Sequence, residues 1–371
     1  MLARDQSLSD AMQGTLKDSI VGVDEPASRL RARLSNTLWI QSPGFDIFLL
    51  IFAPLVTLPI IAGLYYRIPW LAIGGGMILA FAHYSSTLSF LFWTDSREYH
   101  RARWLAFLAG PLIIAFIYCL LLGFEVPFVI QFVLFFWNTF HVARQNCGIL
   151  SIYRQRAGVT DPTQRNAANS AIIATSAFLA VWNIDTHKEV AALFGLVSGN
   201  LTEYVKLVPG LMATFFICRL TIALLRRNEP IGLPEALFIA SSLVFFYPYL
   251  FIRNSEIATF AMLLPHYVQY MALVWLLHRR KFGSKSDGAP VVLRYMSSSV
   301  IILIPVLFSV GFSFYLMKNF FDGRGQAYWF ESLYLLIAFQ HFYMDGLIWS
   351  FKRAHVRQTI GSFLLRRPVG P

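Results

Sequence analysis

Apolar residues run in stretches of membrane-spanning length at about 46–66, 69–93, 104–123, 126–147, 168–182, 205–225, 234–252, 257–278, 297–317 and 328–350. Roughly twenty apolar residues wound as a helix cross a ~30 Å hydrocarbon core with every backbone hydrogen bond satisfied internally. The pattern predicts an all-α, polytopic transmembrane helix bundle of about ten spans. The fifth run is the weakest. Trp182-Asn183-Ile184-Asp185 interrupts it, and a second semi-apolar piece from Val190 to Val197 has the length of a re-entrant or interfacial helix. Around the bundle the pattern sets a polar cytoplasmic segment at 1–45, a transmembrane domain at 46–352 and a basic cytoplasmic tail at 353–371. The first twenty residues have no continuous apolar core, so they read as no cleavable signal peptide. No internal repeat emerges, and the only short low-complexity tract is the loop at 283–289.

Composition sharpens this picture. Of 371 residues 56% are hydrophobic and 14% charged, against about 25% charged in an ordinary soluble domain. The net charge of +11 is dispersed in short clusters between apolar runs, which excludes a basic domain for nucleic acid. Sorted by loop, 24 of the 31 Lys and Arg fall on the side of the N-terminus, and Arg219 lies inside the sixth run. An excess of that size marks the cytoplasmic side. Both termini are therefore expected there, in a multi-pass protein of a bacterial inner membrane. The three cysteines, Cys119, Cys147 and Cys218, form neither a disulfide framework nor a CxxC motif.

Scarce charge makes buried polar residues informative. His100, His187, His278 and His355 sit at span ends or in loops, where a headgroup-facing role suffices. His83, His141, His266 and His341 lie inside apolar runs, all on even-numbered spans that cross in the same direction. Counted to the next basic edge at Arg97, Arg154, Arg279 and Lys352, their depths differ by only about 4–5 Å. Four imidazoles can share one layer. A polar ring at that depth faces a bundle interior, a cavity or a ligand. On a helix, residues four apart share a face, so Asp345 follows His341 and Gln145 follows His141 as groups able to orient a ligating ring. Gln269, three residues after His266, and Asn138, one turn before His141, are further cofactor-facing candidates. Arg144 and Asp345 are the candidate catalytic charges, either paired with each other or used on substrate.

Imidazole ligands suit Fe, Zn, Cu or Ni. No two of the four histidines share a helix, unlike the HxxxH and HxxHH clusters of diiron desaturases. Four histidines on Fe(II) leave two octahedral positions, enough for O2 and for water or substrate, so mononuclear iron fits best. Zinc comes next, closed if all four bind and catalytic if three do; two bis-His haems are the third arrangement. A shared ion requires ring nitrogens within roughly 4 Å of one another. Aromatic residues flank every histidine (Phe81 and Tyr84, Trp137 and Phe140, Tyr267 and Tyr270, Phe342 and Tyr343). Such walls suit a long apolar or lipidic molecule arriving from the bilayer.

The histidine segments FFWNTFHVARQNCGILSIYR and FQHFYMDGLIWSFK resemble the Brp/Blh group of membrane β-carotene 15,15′-dioxygenases, or a divergent relative of it. The resemblance is confined to the four histidine segments. It implies one iron bound by His83, His141, His266 and His341 and cleavage of a carotenoid double bond. The chain differs from that group in its longer polar N-terminus, its span count and its lack of a Trp-His-Phe-Gly type motif. The alternative to an oxygenase is a non-enzymatic transporter or assembly factor, whose buried His, Asp and Arg layer would bind a proton, a metal ion or a lipid headgroup. That reading requires paired broken helices in the two halves.

Overall fold

A computed structural model describes residues 38–55, 66–93, 96–159, 161–182, 199–227, 230–282 and 300–365, together with 63, 184 and 294. The chain is all-α, with no strand among the described residues. The long helices are α1 (Pro69–Leu88), α2 (Gly110–Gly123), α3 (Pro127–Arg156), α4 (Pro162–Val181), α5 (Gly199–Leu225), α6 (Leu233–Leu243), α7 (Ser255–Phe282), α8 (Val300–Asp322) and α9 (Ala327–Ile348). Several open on proline, at Pro69, Pro127 and Pro162. Its fixed φ suits the first turn and its missing N–H costs nothing there. Asp161 caps α4 by accepting a hydrogen bond from the Thr163 N–H at 2.8 Å.

Four helical stretches are long and apolar enough to cross a membrane: Leu105–Gly123, Val205–Leu225, Leu233–Phe251 and Ile257–Phe282, with 19, 21, 19 and 26 residues. The first and second leave large apolar side chains uncovered, including Leu112, Phe116, Leu211 and Phe215, each about 60% exposed. A soluble monomer rarely presents such a continuous apolar face, and it is compatible with contact to lipid.

Two predicted spans differ in detail. The first opens as a π-helix, Asp46–Ile51, and most of its second half lies outside the described residues, as do the segments 1–37, 185–198 and 366–371 that carry the polar N-terminus, the possible re-entrant piece and the end of the tail. The run at 234–252 is not one regular helix: α6 stops at Leu243, and a short helix resumes at Pro248–Phe251. Pro248 has no N–H to donate to the preceding turn, so regular bonding cannot pass through it.

The arginine-rich loops meet at one end of the bundle. Arg280 Nη2 donates to Gln41 Oε1 at 2.9 Å and its Nη1 donates to the Phe363 carbonyl at 2.8 Å. Arg156 Nη1 donates to the Leu364 carbonyl, Arg353 Nη1 to the Tyr99 hydroxyl, and His355 Nε2 lies 3.0 Å from Ser96 Oγ. Buried Arg154 and Arg227 both donate to the buried Glu235 carboxylate, at 2.9 and 3.0 Å. Every loop that the charge pattern assigns to the basic side is thereby tied to at least one other.

Candidate metal centre

Each of the four histidines of the apolar runs arrives on its own helix: His83 on α1, His141 on α3, His266 on α7 and His341 on α9. In the bundle α1 packs against α7 and α9, and α3 packs against α9. The four imidazoles close into a ring. Centroids of successive rings are 4.8 Å apart for His83 and His266, 5.1 Å for His266 and His141, 5.2 Å for His141 and His341, and 4.3 Å for His341 and His83. Neighbouring rings are steeply tilted to one another, which directs ring edges and their nitrogens toward a common interior. One nitrogen from each ring can be chosen so that all four lie within 4.8 Å of one another. Opposed ligands about 2.1 Å from one ion are about 4.2 Å apart, so an inward shift of a few tenths of an ångström closes the set.

The nitrogens that face this interior lack other work. His83 is fully buried and neither of its nitrogens has a hydrogen-bond partner; Nε2 of His141, Nδ1 of His266 and Nε2 of His341 are likewise buried and unpartnered. Burying a polar atom without a partner costs about 1–3 kcal/mol, so four rings that each bring such an atom to one place fit a shared ligand. A divalent ion that prefers imidazole is the chemistry they fit.

Around His341 the hydrogen bonds determine where the protons are. Tyr270 OH donates to Asp345 Oδ1 at 2.7 Å, and Thr87 Oγ1 donates to the same oxygen at 3.0 Å. With its single hydrogen committed to the carboxylate, Thr87 Oγ1 accepts from Nδ1 of His341 at 2.9 Å. His341 therefore carries its proton on Nδ1 and presents the lone pair of Nε2 to the centre, as a ligating imidazole must. Trp349 Nε1 donates to Tyr270 OH at 3.1 Å and braces the network from outside.

Asp345 is buried within this network, but Arg144 is exposed and makes no ion pair with it; the basic side chains nearest the Asp345 carboxylate among the described residues are His141 and His341. Arg144, three residues after His141, lies about 60° round α3 from it, and its side chain is exposed. Gln145 and Gln269 are close to each other but orient no ring. Gln145 Nε2 donates to the His266 carbonyl at 3.3 Å and to Gln269 Oε1 at 3.4 Å, while Gln269 Nε2 donates to the Leu50 carbonyl. They lace α3, α7 and the first π-helix together. Asn138 is buried one turn before His141, with Oδ1 unpartnered. His278 is a correction: it is buried, not headgroup-facing. Its Nδ1 donates to the Val274 carbonyl at 2.7 Å and its Nε2 accepts from Trp93 Nε1 at 3.3 Å, so it is satisfied without a ligand.

Among the flanking aromatics, Phe342 lies 4.6 Å from the His141 ring, Tyr267 and Tyr270 lie 4.8 and 4.3 Å from His83, and Tyr84 lies 4.9 Å from His341. Phe140 instead faces outward, and Tyr343 donates to the Ala106 carbonyl away from the rings. An apolar cleft of about 540 Å³ opens elsewhere, between α4, α5 and α6, beside Phe178, Trp182 and Tyr247. No protein-family model, curated protein or solved structure matches this chain.

Proposed function

We propose that this chain is a multi-pass protein of a bacterial inner membrane, with about ten spans and both termini on the basic side, that binds one iron ion through His83, His141, His266 and His341. In this reading it is an O2-dependent oxygenase acting on a long apolar substrate taken from the bilayer. The observation that carries the reading is the convergence of unpartnered, buried imidazole nitrogens from four separate helices. The contacts among the basic loops support placing those loops on one face of the bundle.

Iron bound there supplies activation of O2 for oxidation of a carbon–carbon double bond. The protein's part is to hold four neutral imidazoles and exclude water. Thr87 and Asp345 fix the tautomer and rotation of His341. Phe342, Tyr84 and Tyr267 wall the rings with hydrocarbon faces. A substrate without donor atoms would be held by such walls through contact area rather than hydrogen bonds. Resemblance of the histidine segments to the Brp/Blh group makes a carotenoid the first substrate to try.

The deciding experiment is metal analysis of purified protein and of the four His→Ala variants, followed by anaerobic loading with Fe(II) and incubation with β-carotene and O2. About one iron per chain, lost in each variant, and oxygen-dependent bleaching of the polyene support the reading. Retention of metal in all four variants overturns the site. Full iron occupancy without O2 consumption on any carotenoid or lipid tested overturns the oxygenase and leaves the metal centre.

A further inference from the structure

Asp345 directs one carboxylate oxygen toward two of the four imidazoles. Its Oδ1 accepts from Tyr270 and Thr87. Its Oδ2 lies 3.6 Å from Nε2 of His341 and 3.8 Å from Nε2 of His141. These separations are too long for hydrogen bonds. They fall, however, between the two spacings of octahedral co-ligands: donors about 2.1 Å from one ion are about 3.0 Å apart when adjacent and about 4.2 Å apart when opposed. Both nitrogens concerned are among the unpartnered, inward-facing set.

Charge points the same way. Asp345 is 6% exposed, and among the described residues no Lys or Arg stands within ion-pair distance of it. An ionised carboxylate buried without a cation is strongly disfavoured, and four neutral imidazoles would leave a divalent ion wholly uncompensated. Each lacks what the other provides.

We propose that Asp345 is a direct fifth ligand, through Oδ2, to the ion held by the four histidines. This rests on the metal-binding reading above and changes it: five protein donors leave one position of an octahedron instead of two. The hydrocarbon substrate would then be positioned entirely by the aromatic walls, and the one remaining position would be available to a small molecule. A carboxylate in the set also shifts preference toward harder divalent ions than a site of imidazoles alone.

Co(II) titration of the metal-free full-length protein in detergent micelles, followed by visible absorption, tests the proposal. D345N preserves shape and the contacts to Thr87 and Tyr270 but is a far poorer ligand. Loss of an outer partner weakens metal binding about 10–100-fold. A direct ligand predicts a Kd raised more than about 100-fold in D345N, with a stronger, more tetrahedral Co(II) spectrum. A smaller change with an unaltered spectrum, while the His→Ala variants lose Co(II), overturns the carboxylate ligand and leaves the four-histidine site. Unimpaired Co(II) binding by the His→Ala variants overturns the site itself. Should D345N fail to fold, infrared difference spectra of wild-type protein with and without Co(II) decide the matter: a shifted carboxylate stretch supports the proposal, and its absence refutes it.

Discussion

Thr87 Oγ1 lies 2.9 Å from Nδ1 of His341, joining a hydroxyl on α1 to an imidazole on α9. The hydroxyl decides which nitrogen of His341 is left bare. Thr87→Val keeps the side-chain shape and removes the hydroxyl that contacts His341, Asp345 and Tyr270. It should weaken metal binding about 10–100-fold while the protein still elutes as a folded species. Metal titration beside size-exclusion chromatography checks this; unchanged affinity would show that the tautomer is set some other way.

His278 provides the contrast. It is buried at 7% exposure and hydrogen-bonded at both nitrogens, one turn before the basic end of α7. His278→Phe should leave metal stoichiometry unaltered and lower stability by about 1–3 kcal/mol through the stranded Trp93 N–H. Thermal melts in detergent, paired with metal analysis, separate these two effects.

Glu235 is 1% exposed and neutralises Arg154 and Arg227 together. Glu235→Gln keeps the volume but strands two guanidinium charges. Breaking a buried pair from one side costs about 3–5 kcal/mol, so the variant should melt markedly earlier or fail to accumulate. A melting temperature equal to wild type would mean that the two arginines reach water or lipid phosphate.

Sidedness is open to a direct check. Single cysteines replacing exposed Arg101 and Arg226 should react with a membrane-impermeant maleimide only when the cytoplasmic face is accessible. Cysteines replacing exposed Glu125 and Arg324 should react from the opposite face in intact cells. Labelling of all four from one side would remove the span count and orientation.

Much of the layout was legible because long apolar runs without breakers favour buried or lipid-facing helices. Apolar length located the helices, and the four histidines stood out because so few polar residues share their environment. The supporting network was legible only in part. The four-residue spacing that picked out Asp345 after His341 also places Thr87 after His83 and Tyr270 after His266, and all three meet in the structure. Applied to every histidine, that spacing finds them. Arg144 and Gln269, both at three-residue offsets, turned to other neighbours. Gln145 had the right spacing but donates to the His266 carbonyl of α7 instead of orienting a ring. The interruption after Leu243 was invisible to hydropathy, which registers Pro248 as one residue in a long apolar run.

The helices bearing the four imidazoles lie far apart along the chain, and the Thr87 to His341 contact alone spans 254 positions. The centre is incomplete until α9, the last long helix among the described residues, has docked. On the proposed function, ion capture would follow that step. A ligand that clips so long a loop offsets much of its closure entropy. Incorporation of the ion would distinguish completed molecules from truncated or misassembled ones, giving quality-control proteases a basis for discriminating between them.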